Sequence, residues 1–264
     1  KLMAIKAAFF DIDGTLVSFR THQVPSSTIE AIKQVKERGV KIFISTGRPV
    51  AIINNIDVVR PLVDGYITFN GACSFIGDED ITMMPLPKEA VQAMIEDSDK
   101  RGYAVVVCGK KDIGIRNHTH IFDEIFVRNL GVDNIDIHKS VDPLLQKPVL
   151  QLTPFFSVED EKEILPHMPH CISARWNPSF TDITVEGADK GNALLKVAEH
   201  IGISPSECIA FGDGGNDISI LQAAGIGVAM GNANDDVKSV ADFVTTSVDE
   251  DGILNAFKHF GLLE

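Results

Sequence analysis

Apolar residues along the chain fall into two patterns, and the change from one to the other divides it. Ala4–Phe10 is a short apolar run ending in Asp11-Ile12-Asp13-Gly14-Thr15, as a strand does when it enters a turn. Ile29, Ile32 and Val35 share one helical face behind Ser27-Thr28-Ile29-Glu30, which predicts a capping box, and Gly39 follows the end of that helix. Val40–Ser45 and Gly65–Phe69 read as the next strands. The first is continuously apolar, as expected when both faces of a sheet are covered. The same alternation returns near the end: a helix from Gly191 to Ile201 stopped by Gly202, strand Cys208–Gly212, helix Asp217–Ala224, then strands Gly227–Met230 and Asp242–Thr245. Strands alternating with helices predict an α/β fold on a doubly wound, Rossmann-like parallel sheet.

The middle of the chain changes character. Its strand signals are short and hairpin-like: Tyr103–Val107 with Ile113–Arg116, and Ile172–Arg175 with Thr181–Val185. Helical stretches lie at Lys88–Arg101 and Val158–Leu165, and Met84-Pro85-Leu86-Pro87 and Glu186-Gly187-Ala188-Asp189 read as linkers. The expected organisation is a core made of residues 1–84 and 186–264, with an α+β domain at 85–185 inserted into it.

Charge and cysteine usage narrow the function. With 24 Lys and Arg against 37 Asp and Glu, the net charge of −13 gives no electrostatic reason to bind nucleic acid or an anionic membrane. Any phosphate must then be held by a local arrangement of donors. Cys73, Cys108, Cys171 and Cys208 are dispersed, with no C-x-x-C pair, so zinc-knuckle and thioredoxin readings fail. Ala7–Phe10 is too short for a signal-peptide core, and no run reaches the roughly 18 apolar residues of a membrane span. A cytoplasmic location and a monomer or weak homo-oligomer are the default expectations.

Chemistry-bearing residues gather where strands end, which is where open α/β sheets bind ligands. Asp11 and Asp13 stand two apart at such an end; an isolated Asp-Gly is commonly only a turn, but that does not explain the second aspartate. Ser45-Thr46-Gly47-Arg48 offers a hydroxyl, backbone N–H groups freed by glycine, and a guanidinium. Asp213-Gly214-Gly215-Asn216-Asp217 offers two carboxylates and an amide. Lys190 opens a helix, a position the macrodipole disfavours for a cation, so it asks for a reason. Together these meet the needs of phosphoryl transfer: an attacking carboxylate, a cation site for Mg²⁺ at Asp11, Asp213 and a water held by Asp217, and a lysine charge. Thr46, Asn216 and loop N–H groups would hold phosphoryl oxygens, and Asp13 would carry the proton.

In order, Asp11-Ile12-Asp13-Gly14-Thr15, Ser45-Thr46-Gly47-Arg48, Asp189-Lys190-Gly191 and Gly212-Asp213-Gly214-Gly215-Asn216-Asp217 resemble the four motifs of the haloacid dehalogenase superfamily. Over its full length the chain is similar to the Cof-type sugar phosphatases, whose larger cap is inserted after the third core strand. The resemblance implies Asp11 as nucleophile and Asp13 as acid/base and, through its carbonyl, metal ligand. It places Thr46 and Gly47 with Lys190 on phosphate, Asn216 beside it, Asp213 on Mg²⁺, and Asp217 as a supporting acid of the metal site. The substrate class it implies is a small phosphomonoester, a hexose or pentose phosphate.

Other signals weigh less. His118-Thr119-His120 lacks a third ligand nearby and reads as a solvated hairpin edge. Gly225-Ile226-Gly227 and Gly231-Asn232-Ala233-Asn234 read as structural turns. In the insert, Arg116, Asn117 and Trp176 combine donors with a flat ring that would suit a sugar, with Arg48 from the core as a further substrate contact. A phosphomutase on the same core is the near rival. A phospho-accepting signalling module is the rival of another class, but it needs neither Asp13 nor the long insert.

Overall fold

The structure is a computed structural model; it describes residues 5–132 and 135–264, without the Trp176 side chain. Its organising element is β1 (Ala7–Phe10), buried along its whole length, whose side chains alternate between two apolar layers. Along the chain follow α1 (Ser26–Glu37), β2 (Lys41–Ser45), β3 (Gly65–Thr68), β4 (Cys73–Ile76) and β5 (Glu79–Met83). The insert then contributes α2 (Lys88–Arg101), β6 (Val105–Cys108), β7 (Ile113–Arg116), α3 (His120–Phe122), α4 (Asp142–Leu145), β8 (Gln151–Pro154), α5 (Val158–Ile164), β9 (Cys171–Asn177) and β10 (Phe180–Val185). The chain closes with α6 (Lys190–His200), β11 (Cys208–Gly212), α7 (Ile218–Ala223), β12 (Ile226–Ala229), α8 (Asp235–Val240), β13 (Phe243–Val244) and α9 (Gly252–His259). Among the described residues no helix is long and apolar enough to cross a membrane.

Two compact units result. One holds residues 1–48, 53–83 and 189–264; the other holds 49–52 and 84–188, so the short turn at 49–52 groups with the insert. In the first unit eight strands run in the order β13-β12-β11-β1-β2-β3-β4-β5, parallel from β13 to β3 and antiparallel from there to β5. Ala8 and Phe10 pack under α1 and α9, whereas Ala7 and Phe9 pack under α6 and α7. Phe9 stacks on Phe43 with ring centroids 4.8 Å apart, and Phe10 stacks on Phe211 at 5.0 Å. Helices thus cover both faces, the doubly wound arrangement that the alternating pattern predicted. The antiparallel hairpin β4–β5 was not foreseen.

The expected capping box at Ser27–Glu30 is not formed. Pro25, at φ −59°, sets the boundary of α1 by its ring geometry; no side chain caps the helix, and Ser27 Oγ is buried without a partner. In the second unit the five strands run in the order β7-β6-β8-β10-β9, antiparallel throughout, against α2 and α5. The unforeseen strand β8 lies in the middle of this sheet. Its polar residues Gln151 and Thr153 both donate to Asp182, and its proline stands at the last position, where a missing donor costs least.

Candidate active site

Strand register brings the motifs level. Phe10 pairs with both Ile44 and Phe211, so the residues that follow each strand emerge side by side at one sheet edge. The N–H of Asp11 still donates to Phe211 O at 3.1 Å, which keeps Asp11 in the ladder. Asp189 caps α6 by accepting from Asn192 N at 2.8 Å. Lys190 follows at the first helical position, and its side chain is fully buried. Its Nζ donates to Asp11 Oδ1 at 2.8 Å and to Asp217 Oδ1 at 2.6 Å. This is the reason for a cation where the dipole disfavours one. Gly191 permits it, since a Cβ there would lie 2.4 Å from Ser219 O, so α6 and the start of α7 approach only without a side chain.

Asp217 clamps its own loop. Its Oδ2 accepts from the N–H groups of Asp213 and Gly214, each at 3.0 Å, so both of its oxygens are engaged. Asp213 accepts from Thr15 Oγ1 at 3.0 Å. Gly14, at φ +87°, keeps the facing turn bare, because a Cβ would meet Asp213 Oδ2 at 2.2 Å. Asp11, Asp213 and Asp217 each place an oxygen within 4.8 Å of one another.

One lysine cannot balance that much negative charge. Burial, then the charge of Asp217, raises the Asp11 pKa to about 8 against the pull of Lys190, and burial followed by Asp217 raises Asp213 to about 6. For Lys190, burial alone would lower the ammonium pKa, but Asp11 and Asp217 outweigh it and the net shift is upward. An oxygen-only, part-dehydrated and overcharged donor set fits a hard divalent cation. Asp11 also has one carboxylate oxygen without a partner among the described residues.

Asp13 stands apart from this cluster. Its carboxylate is held at two points by Arg48, Nε to Oδ2 and Nη2 to Oδ1, both at 2.8 Å. The side chain of Asp13 is therefore not among the clustered carboxylates, which are Asp11, Asp213 and Asp217. The donors of Arg48 are likewise turned to Asp13. Thr46 is buried, and its hydroxyl accepts from the Arg48 N–H at 3.0 Å, bracing the Thr46-Gly47 turn.

Three further residues touch this network in roles that the sequence did not assign to them. Thr15 orients Asp213, as above. Asn232 donates to Gly14 O at 2.8 Å and to Asp213 Oδ2 at 3.4 Å while accepting from Val248 N, so the Gly231–Asn234 turn braces two motif loops. Asn70 accepts from Asn216 Nδ2 at 2.9 Å. It follows the third core strand, so the strand-end rule could have flagged it.

In the insert, Arg116 pairs with Asp99 through two 2.8 Å contacts and with Asp142 at 3.1 Å, while Asn117 donates to Ser98 and Asp99. These bonds tie the end of β7 to α2. The Trp176 side chain lies outside the described residues. His118 pairs with Asp123 at 2.7 Å, and among the described residues no ligand cluster includes it or His120.

Residues 8–257 match the haloacid dehalogenase-like hydrolase family. The putative phosphatase YkrA of Bacillus subtilis is 32% identical, over 99% of this chain and 100% of its own length. A solved structure described as the HAD subclass IIB sugar phosphatase BT4131 is 48% identical, covering 98% of this chain and 100% of that one, with a TM-score of 0.82. The 5-amino-6-(5-phospho-D-ribitylamino)uracil phosphatase YcsE of Bacillus subtilis is 29% identical over 98% of this chain and 96% of its own. The chain belongs to the haloacid dehalogenase-like hydrolases, and within them to the phosphatases, enzymes that hydrolyse phosphomonoesters.

Proposed function

We propose that this phosphatase hydrolyses sugar phosphates with Mg²⁺ through a phosphorylated Asp11. The observation that carries the reading is the buried Lys190 ammonium bridging Asp11 and Asp217. It fixes one oxygen of Asp11 and leaves the other without a partner among the described residues, which suits an in-line nucleophile.

Asp11 attacks phosphorus, the ester P–O bond breaks, and Asp13, protonated once one of its two Arg48 bonds has opened, gives that proton to the departing alcohol oxygen. Asp13 then takes a proton from water as that water attacks the same phosphorus, which releases inorganic phosphate and restores Asp11. Lys190, Thr46, Asn216 and the N–H groups around Gly47 receive the phosphoryl oxygens. Asp11, Asp213 and the Asp13 carbonyl would hold Mg²⁺, with Asp217 in support; bound there, the ion offsets the repulsion between carboxylate and phosphate.

Sugar as the leaving group is supported by the likeness to BT4131. Recognition of the sugar is assigned to the insert, acting as a cap, with Arg116, Asn117 and Trp176 as its contacts beside Arg48 of the core. The ion pairs of Arg116 define the competing, purely structural role. Phosphate release from a panel of sugar phosphates, with and without Mg²⁺, tests the reading. Full activity in chelator, or conversion to isomeric sugar phosphates in place of release, would count against it. Substitution of the insert residues should change kcat/KM for sugar phosphates far more than for acetyl phosphate.

A further inference from the structure

The turn that follows β3 makes three separate connections, and its conformation is costly. Phe69 and Asn70 both have φ near +52°, and Gly71 follows at +102°. Two successive non-glycine residues in the left-handed region persist only where surroundings over-determine them. Phe69 is fully buried, and a Cβ on Gly71 would lie 2.1 Å from Asp189 O, so the turn packs against the backbone just before Lys190. The N–H of Asn70 donates to Thr46 O at 3.1 Å, and its Oδ1 accepts from Asn216 Nδ2 at 2.9 Å.

Conformation alone does not account for asparagine here. Glycine would adopt a positive φ with less strain and would keep the backbone bond to Thr46. What asparagine adds is the side-chain bond to Asn216. The amide also lies flat against Gly47: a Cβ there would come within 3.0 Å of Asn70 Oδ1 and 3.1 Å of Nδ2. With Oδ1 committed to Asn216, Nδ2 faces the Gly47 turn and has no acceptor among the described residues.

We infer that Asn70 is a positioning residue of the phosphate site: it brackets the Thr46-Gly47 turn and Asn216, so that the donors of both loops converge at one separation. This rests on the phosphatase reading of the same site. Thr46 and Asn216 belong to loops at different strand ends, and among the described residues no side-chain hydrogen bond joins the two directly. Without the bracket each loop keeps its own internal bonds, but their mutual distance is free to vary, and a phosphoryl group bound by both loses affinity.

Asn70→Gly is the informative variant, since it retains the backbone conformation and the bond to Thr46. KM and the inhibition constant for inorganic phosphate should each rise about tenfold, the magnitude of one lost, well-placed hydrogen bond, while the thermal midpoint holds. In a cycle with Asn216→Ala, which removes the bracket together with the phosphate contact of Asn216 itself, the double variant should be little worse than Asn216→Ala alone. Values within about twofold of wild type, or fully additive losses, overturn the inference. Wild-type competition by inorganic phosphate is the reference; its absence would instead count against the phosphate site as a whole.

Discussion

Arg48 grips Asp13 through two parallel bonds of 2.8 Å, with both side chains about one-third exposed. A partly solvated pair of this kind contributes about 0.2–1 kcal/mol to stability, so its geometry is worth more than its energy. The fork fixes both oxygens of the group assigned to proton transfer.

Arg48→Lys keeps the charge but can engage only one oxygen at a time. The expected outcome is a fall in kcat of about three- to tenfold with the thermal midpoint preserved. Steady-state kinetics alongside a melt would check it; an unchanged kcat would show that the clamp does not orient Asp13.

Asp11→Asn retains volume and the bond geometry to Lys190 but removes the nucleophile, so turnover should vanish while the fold persists. Beryllium fluoride should label wild type at Asp11, read by ¹⁹F NMR, and leave the variant unlabelled. Residual activity above a few per cent would take Asp11 out of the role.

Asp13→Ala should separate the two half-reactions. An aryl phosphate, whose leaving group needs no proton, should still give a burst, followed by turnover slowed about 10²–10⁴-fold. A loss of tenfold or less would argue for another acid.

Lys190→Met leaves two carboxylates facing each other without a buried counter-charge. Breaking such a pair costs about 3–5 kcal/mol while the acids are ionised. The penalty should therefore be larger at pH 8 than at pH 5, where Asp11, raised to about 8 even in wild type, is protonated. Chemical denaturation at the two pH values measures the difference, and a pH-independent loss would contradict it.

Without a cation, the fold should lose stability as pH rises. The folded chain holds the Asp11 proton up to about pH 8, whereas the unfolded chain releases it near 3.8, so ionisation across that interval favours unfolding. Mg²⁺ competes with that proton. The rise in melting temperature on adding Mg²⁺ should accordingly be greater at pH 8.5 than at pH 6, and a rise independent of pH would indicate that the ion binds elsewhere.

How much was readable in advance follows from the range of the forces involved. Ala7–Phe10 is apolar on both sides and ends in Asp-x-Asp-Gly, so strand, burial and turn are written within a few residues, and the other motif strands obey the same local rules. The weakest local readings were those for which a competing device was available. Pro25 displaced the expected Ser27 cap, and β8, with polar residues alternating beside a proline, is a strand only because β6 and β10 flank it.

The sequence by itself determined the class of fold and the chemical types at its strand ends, since period, turn residues and capping act over a few bonds. Tertiary structure alone decided which of those groups meet. Lys190 reaches Asp11 across 179 positions and Asn216 reaches Asn70 across 146, and both distances depend on strand order and on glycines that admit close backbone approach. Charge clustering is likewise a property of the assembled edge: Asp11 has an unusual proton affinity only because folding removes water from it and sets Asp217 beside it.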